Sequence, residues 1–368
     1  MRIVIIHNEM APYRIFLFDE LGKGFKTKVI FGRKKDPKRL WNIPLGKRFR
    51  WRVLPEIKVG SYVLNAPWGL FKELKDSDVV VIADNVDIYP LILISVMFTK
   101  LACKPLVLWV GHLDTEYTEE RKFILRKADE ILKRFLYSMG NSFVVYSSKS
   151  LNFLVRRGVK PHKIAPGTTQ YYPQELLSEA LVGKEKNVKK TWRLQALALG
   201  YFERRKGFKH LIRALCGMKE VELTLAGSGD YEKTLKEEAE ECGNIEFPGY
   251  VDGELKAQLY INSDVFVFPT LHDPWGFVVN EAFYYGLPVI ITTAAGAVDA
   301  VVNGKNGFIV EPGNPNTIRE VLAHLVENKK LLRKLKVHAK KSGKKLTDIS
   351  KGAKTIEKAI KKAIELHE

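Results

Sequence analysis

The feature that most constrains this chain is a set of apolar runs without polar alternation. In the first half they are RIVIIH (2–7), KVIFG (28–32), DVVVIA (78–83), PLVLWV (105–110) and FVVYS (143–147). A strand with no polar side is buried on both faces, which is the signature of a parallel sheet covered by helices. Helical patterns lie between several of the runs, as in RIFLFDEL (14–21) and the segment 118–139. The second half repeats the scheme with LQALALG (194–200), VELTLAG (221–227), NIEFPG (244–249), DVFVFPT (264–270), LPVIITT (287–293) and GFIVEP (307–312), and helices are expected over 206–217, 230–242, 253–262 and 276–286. The prediction is an α/β protein of two Rossmann-like doubly wound domains facing a central cleft. The N-terminal domain covers 1–170, a linker region 171–192 and the C-terminal domain 193–345. A last helix, 346–368, is expected to pack back on the N-terminal domain. Ligands of such sheets bind at the carboxyl ends of the strands.

Charge is uneven along the 368 residues. The formal net charge is +18, with 60 Lys and Arg against 42 Asp and Glu. Residues 1–170 hold 30 basic and 16 acidic residues, a balance of +14; the remainder holds 30 and 26, a balance of +4. FGRKKDPKRL (31–40) and GKRFRWR (46–52) concentrate the excess, interleaved with Trp41, Phe49 and Trp51. Such a surface suits an anionic partner (phospholipid headgroups, a polyprenyl phosphate or nucleic acid) or is a solvated basic face. The most apolar stretch, 89–110, is divided by Lys100, Lys104 and Pro105 into pieces too short to span a bilayer. It reads as a buried helix followed by a buried strand. Cys103, Cys216 and Cys242 are odd in number and form no CxxC pair. Neither a disulfide nor a zinc site is expected, and a reducing compartment is. Residues 1–7 read as a first strand rather than a leader, so a cytoplasmic location is expected, with peripheral contact to the inner face of the membrane.

TLHDPWGFVVNEAFYYG (270–286) places Asp273 and Glu281 eight positions apart. Within one helix they would diverge by about 80°. The pattern instead puts Asp273 in a turn after a strand and Glu281 in the second turn of the following helix. An N-cap role, with Pro274 at the first helical position, explains Asp273 by itself. It does not explain Glu281, which is surrounded by Phe277, Val278, Val279, Ala282, Phe283 and Tyr284 and needs hydrogen-bond donors from a ligand or from the protein. The amides of Gly276, Phe277 and Val278 at this helix start are suited to phosphate. GYFERRKG (200–207) adds Arg204, Arg205 and Lys206 at the end of another strand, where strong donors fit a diphosphate. LAGSGDYEKTL (225–235) and GAVDAVVNGKNGFIVEPGN (296–314) supply further tight turns.

Taken in order, these motifs resemble the nucleotide-binding half of the family 4 retaining glycosyltransferases, over about residues 194–365. The first half is similar more loosely, through IHNEMAPYRIFLFDEL, LWVGH and SKSLNFLVRRGVKPHKI. The resemblance implies the GT-B fold, with the acceptor site mainly in the first domain and the nucleotide-sugar site mainly in the second. It implies that Glu281 holds the ribose, that Asp273, where the family has Glu, meets the donor sugar, and that the Phe277 and Val278 amides hold sugar and phosphates. Lys206 holds the diphosphate. Tyr201 replaces an Arg usual after the glycine, with Arg205 as the substitute. His112 is implied beside the reacting sugar, so His112 and Asp273 are the catalytic candidates. Arg205, Lys206, Gly276, Phe277, Val278 and Glu281 are the donor-binding candidates. Tyr13 and Arg14 are candidates for the acceptor. The donor is then a nucleotide diphosphate sugar, the acceptor a lipid-linked compound or a glycan, and the anomeric configuration is retained. No metal or other cofactor is expected, because no DxD-like pair stands at a diphosphate position and the basic loop supplies the charge. A nucleotide-sugar epimerase or phosphorylase on the same fold, or a basic nucleic-acid-binding protein, is the alternative.

Overall fold

Every residue of the first strand but one is buried, because it runs through the centre of a sheet sandwiched between helices. The computed structural model describes residues 1–34, 40, 46–59, 62–85, 88–113, 123–167 and 192–368. They fall into two units: residues 1–113 and 123–167 joined by Asp348–Glu368, and residues 192–347.

The first unit is built on β1 (Arg2–Glu9), β2 (Lys26–Arg33), β3 (Arg50–Val53), β6 (Val79–Asp84), β7 (Leu106–Val110), β8 (Ser142–Val145) and β9 (Ile164–Pro166), with a hairpin of β4 (Glu56–Val59) and β5 (Tyr62–Asn65) set apart. The strand order is β3-β2-β1-β6-β7-β8-β9, and all seven are parallel. The chain starts in the middle, winds outward to β3, and returns to the other side of β1. The ends of β1 and β6 therefore mark a switch point. Helices α1 (Pro12–Leu21), α2 (Leu70–Lys75), α3 (Tyr89–Leu101), α4 (Phe123–Ser138) and α5 (Ser148–Val155) connect the strands. The apolar stretch 89–110 is α3 followed by β7. Among the described residues no helix is long and apolar enough to cross a membrane.

In the second unit β10 (Leu194–Leu199), β11 (Val221–Ala226), β12 (Ile245–Glu246), β13 (Val265–Phe268), β14 (Val289–Thr292) and β15 (Gly307–Val310) form a parallel sheet of order β12-β11-β10-β13-β14-β15. The helices are α6 (Phe208–Leu215), α7 (Glu232–Glu238), α8 (Gly253–Asn262), α9 (Phe277–Tyr285), α10 (Pro315–Glu327) and α11 (Lys329–Leu346). The final helix, α12 (Ile349–Glu365), belongs to the first unit. Its Ala353, Ile356, Ala359, Ile360 and Ala363 recur at helical spacing and join the core formed by Ile5, Val81 and Val107. The Ser142 hydroxyl donates to the Ala359 carbonyl at 2.7 Å.

The structure adds detail to one expectation and corrects another. In the basic stretch 46–52, Phe49 is buried while Lys47, Arg48 and Arg50 stay exposed. Residues 50–53 are an edge strand; Phe49 is buried against Phe18, ring centroids 5.7 Å apart. Arg52 and Lys28 both pair with Glu73, at 3.2 and 3.0 Å, while Trp41 lies outside the described residues. Second, Cys216 and Cys242 form a disulfide. Sequence distance hid it. Consecutive crossovers place α6 and α7 side by side with the same polarity, so the residues following each helix meet. In the chain-entropy description, closing a loop of separation 26 stabilises the fold by about 3.5 kcal/mol. Reduction, or replacing both cysteines with alanine, is expected to lower the denaturant midpoint by a corresponding amount, read by circular dichroism.

His7, on β1, is enclosed by the rings of Phe18, Phe31 and Trp109. Burial, reinforced by Arg14, pushes its pKa down to about 3. The unfolded chain binds this proton below its ordinary value near 6.5, while the folded chain stays neutral. Stability from this site is therefore full above about pH 6.5 and drains away as pH falls toward 3, by on the order of 4 kcal/mol. Urea titrations of the wild type and of His7→Gln between pH 7 and 4 are expected to show a shallower acid slope in the variant.

Candidate active site at the carboxyl edge of the second sheet

The switch point of the second sheet lies between β10 and β13, whose pairing joins Ala196 to Val265 and Leu197 to Phe266. After β10 the chain makes one turn of 3-10 helix, Arg204–Lys206, and enters α6 through Gly207. Gly207 has a φ of +70°, and a Cβ there would stand 2.0 Å from the Pro269 carbonyl oxygen. Only glycine lets the RRK turn press against the loop after β13. The contact is stitched by hydrogen bonds to the Arg205 carbonyl from the Leu271 amide (2.7 Å) and the Thr270 hydroxyl (3.0 Å). The Gly296 amide, from the loop after β14, donates to the Asp273 carbonyl at 2.9 Å. Three strand-end loops are thus fastened together.

This packing brings Asp273, Lys206 and Arg205 into one cluster. Lys206 Nζ lies 2.6 Å from Asp273 Oδ2, and Arg205 Nη1 lies 3.5 Å from the same oxygen. The Trp275 amide donates to the other oxygen at 3.1 Å. Arg205 also donates to the His272 carbonyl (3.1 Å) and pairs with Glu203 (2.7 Å). Burial alone would raise the Asp273 carboxyl, but the two cations and the amide hold it below the usual carboxylate range. Lys206 is pushed down by burial and by Arg205, and Asp273 only partly restores it. The directions agree physically: Asp273 faces two cations, whereas Lys206 faces a cation as well as an anion.

Asp273 is not the N-cap of α9. The cap is Gly276, at φ +99°, and the helix begins at Phe277. A Cβ on Gly276 would run into the Phe268 ring at 2.5 Å. Phe277 and Val278 form the first turn, whose amides have no intrahelical acceptor. One turn further, Glu281 is only 4% exposed. Its donors come from α8. Lys256 Nζ reaches both carboxylate oxygens, at 2.8 and 2.7 Å, and the Tyr260 hydroxyl donates at 2.8 Å. The Tyr260 ring is in turn stacked on Tyr285, centroids 5.3 Å apart. Lys256 and Tyr260 escaped the sequence reading, although their i, i+4 spacing places both on one face of α8.

The other three candidates belong to the first unit. His112 follows β7, with Nε2 3.2 Å from Asp84 Oδ2 at the end of β6, although its N–H does not aim cleanly at that oxygen. The Tyr137 hydroxyl donates to the same oxygen at 2.6 Å. Burial raises the Asp84 carboxyl, but His112, Tyr137 and Lys133 together bring it below its ordinary value. Asp84 also escaped the sequence reading, though a carboxylate closing an otherwise apolar strand was a visible signal. Arg14 does not present itself to a ligand. It is 2% exposed, lies over the Trp109 ring at 4.4 Å, and donates to the Tyr146 hydroxyl. Its charge ties an aromatic cluster together, while Tyr13 beside it is half-buried. Among the described residues no group of three or more His, Cys, Asp or Glu side chains is placed to hold a metal ion.

Residues 183–342 match the family described as glycosyl transferases group 1. A protein of Methanocaldococcus jannaschii described as an uncharacterized glycosyltransferase is 34% identical over 128 residues, 33% of each chain. The lipopolysaccharide core biosynthesis glycosyltransferase LpsE of Rhizobium meliloti is 30% identical over 142 residues, 38% of this chain and 41% of its own. The chain thus spans well under half the length of these relatives. Solved structures align along the whole chain. HepE of Anabaena, solved with UDP, superposes with a TM-score of 0.72 at 16% identity, covering 98% of this chain and 100% of its own. WaaG, described as a glycosyltransferase involved in lipopolysaccharide biosynthesis, gives 0.69 at 17%, covering 97% and 99%. The fold is that of the GT-B glycosyltransferases.

Because Glu281 is buried against Lys256, removing the cation strands a carboxylate. Lys256→Met is expected to destabilise the protein by about 3 kcal/mol. The double variant Lys256→Met/Glu281→Gln should recover much of the loss in urea unfolding.

Proposed function

We propose that this chain, whose residues 183–342 match the glycosyl transferases group 1 family, transfers a sugar from a nucleotide diphosphate sugar to an acceptor hydroxyl with retention of configuration. The observation that carries the reading is the convergence of Arg205, Lys206, Asp273 and the start of α9 on the switch point of the second sheet. Ligands of doubly wound sheets bind there, and these groups suit a sugar diphosphate.

In this reading Lys206, Arg205 and the amides at the α9 start stabilise the charge that develops on the leaving diphosphate. Glu281, held by Lys256 and Tyr260, takes the ribose hydroxyls. Asp273 orients the sugar, and in the first unit Asp84 holds the other candidate, His112. The bond from the anomeric carbon to phosphate breaks, and its electron pair leaves with the diphosphate. The acceptor oxygen bonds to the anomeric carbon on the same face, and its proton passes to the departing phosphate oxygen. The cationic side chains serve as the electrophile, so no metal is required. A glycan or lipid-linked acceptor is favoured by the relatives named for lipopolysaccharide core synthesis. The +14 balance of residues 1–170 supports peripheral attachment to an anionic membrane in this reading.

The expected result is turnover of at least one of the UDP-, GDP- and ADP-sugars that depends on added acceptor and persists in EDTA. Acceptor-independent donor conversion would point to an epimerase instead. Lys206→Ala and Glu281→Ala should each lower kcat/KM by roughly 100-fold or more while the far-ultraviolet spectrum is kept. Full activity in both would reject the site.

A further inference from the structure

We propose that Asp273 competes with the donor's diphosphate for Lys206: it holds the lysine in an ion pair that the diphosphate displaces, and the carboxylate so released then turns to the sugar. This rests on the reading of the site just given. Two cations suited to phosphate, Lys206 and Arg205, converge on a single oxygen of Asp273, at 2.6 and 3.5 Å. A phosphoryl oxygen bound by both cations at once would have to displace that oxygen. The carboxylate is 7% exposed and its second oxygen is bound to the Trp275 amide, so it is held where it is by the backbone rather than placed by chance rotation.

Charge counting leads the same way. Arg205 is already engaged by Glu203 at 2.7 Å, so Lys206, Arg205, Asp273 and Glu203 sum to zero. A diphosphate entering a neutral cluster gains less than one entering a cluster of net positive charge, and a carboxylate beside it repels it. Lys206 cannot simply wait uncompensated, because burial and Arg205 both oppose its charge. Asp273 keeps the ammonium charged and aimed until a stronger anion arrives. The side chain is also short. With its main chain fastened by the Gly296 amide (2.9 Å), the aspartate reaches the lysine at 2.6 Å.

The role makes ground-state affinity and turnover move in opposite directions when Asp273 is neutralised. The test is calorimetric titration of the wild type and Asp273→Asn with UDP, GDP and ADP and with the matching monophosphates, alongside sugar transfer. For the diphosphate that the wild type binds, Asp273→Asn is expected to tighten Kd by about tenfold. The monophosphate, whose single phosphate need not reach Lys206, should change by less than about twofold, and kcat should fall by about tenfold or more. A merely structural aspartate would weaken diphosphate binding and transfer together, and that result, or an unchanged diphosphate Kd, overturns the proposal. Failure of the wild type to bind any nucleoside diphosphate rejects the donor reading itself, and the competition with it. Should Asp273→Asn not fold, a crystal structure of the wild type with the diphosphate decides. Lys206 Nζ on a phosphate oxygen and away from Asp273 supports the proposal; Lys206 still within hydrogen-bond distance of Asp273 overturns it.

Discussion

The pairing of β10 with β13 is the constraint on which the second unit's site depends. These strands are far apart in sequence and adjacent in space, joined at Ala196–Val265 and Leu197–Phe266. Their parallel alignment puts both carboxyl ends at one edge, where the winding reverses and the loops after the two strands meet. The RRK turn enters from β10 and Asp273 from β13. Gly207 closes the remaining gap by having no Cβ to strike the Pro269 carbonyl. The 2.6 Å ion pair between Lys206 and Asp273 is a consequence of that geometry.

Two buried carboxylates in this unit are satisfied in different ways. Glu281 is locked by Lys256 and Tyr260, a pair on an adjacent helix that leaves it rigid and already solvated by protein donors. Asp273 is held instead by groups whose chemistry suits phosphate. A rigid acid is suited to recognising neutral hydroxyls, whose binding moves little charge. An acid paired with the phosphate-directed cations is suited to changing partners during the reaction. The same distinction separates Arg14 from Arg205: one guanidinium is enclosed by aromatic rings, the other stands at a strand-end loop with carboxylates on it.

Much of the fold was legible because it rests on local periodicity. Continuous apolar runs such as VVVIA and VFVF became strands buried on both faces, and the helices between them began and ended within a few residues of where the patterns changed. The chemistry-bearing motifs were also legible, since glycines and basic residues at strand ends serve local geometry. Less visible were short edge elements. Residues 50–53 became a strand although their composition reads as a charged patch, because they pair in register with Lys28–Phe31 and Glu73 meets Arg52.

The sequence by itself determined the doubly wound architecture of each unit and the residue types at the candidate site, because burial on two faces and strand-end turns impose patterns over a few adjacent positions. Tertiary structure alone decided the partners. That Asp273 would face Lys206 and Arg205 rather than cap α9, that Glu281 would be met by Lys256 and Tyr260, that His112 would stand beside Asp84 and Tyr137, and that Cys216 would reach Cys242 all depend on which strands and helices become neighbours. Those adjacencies arise from sheet order and crossover direction, and a distance along the chain carries no record of them.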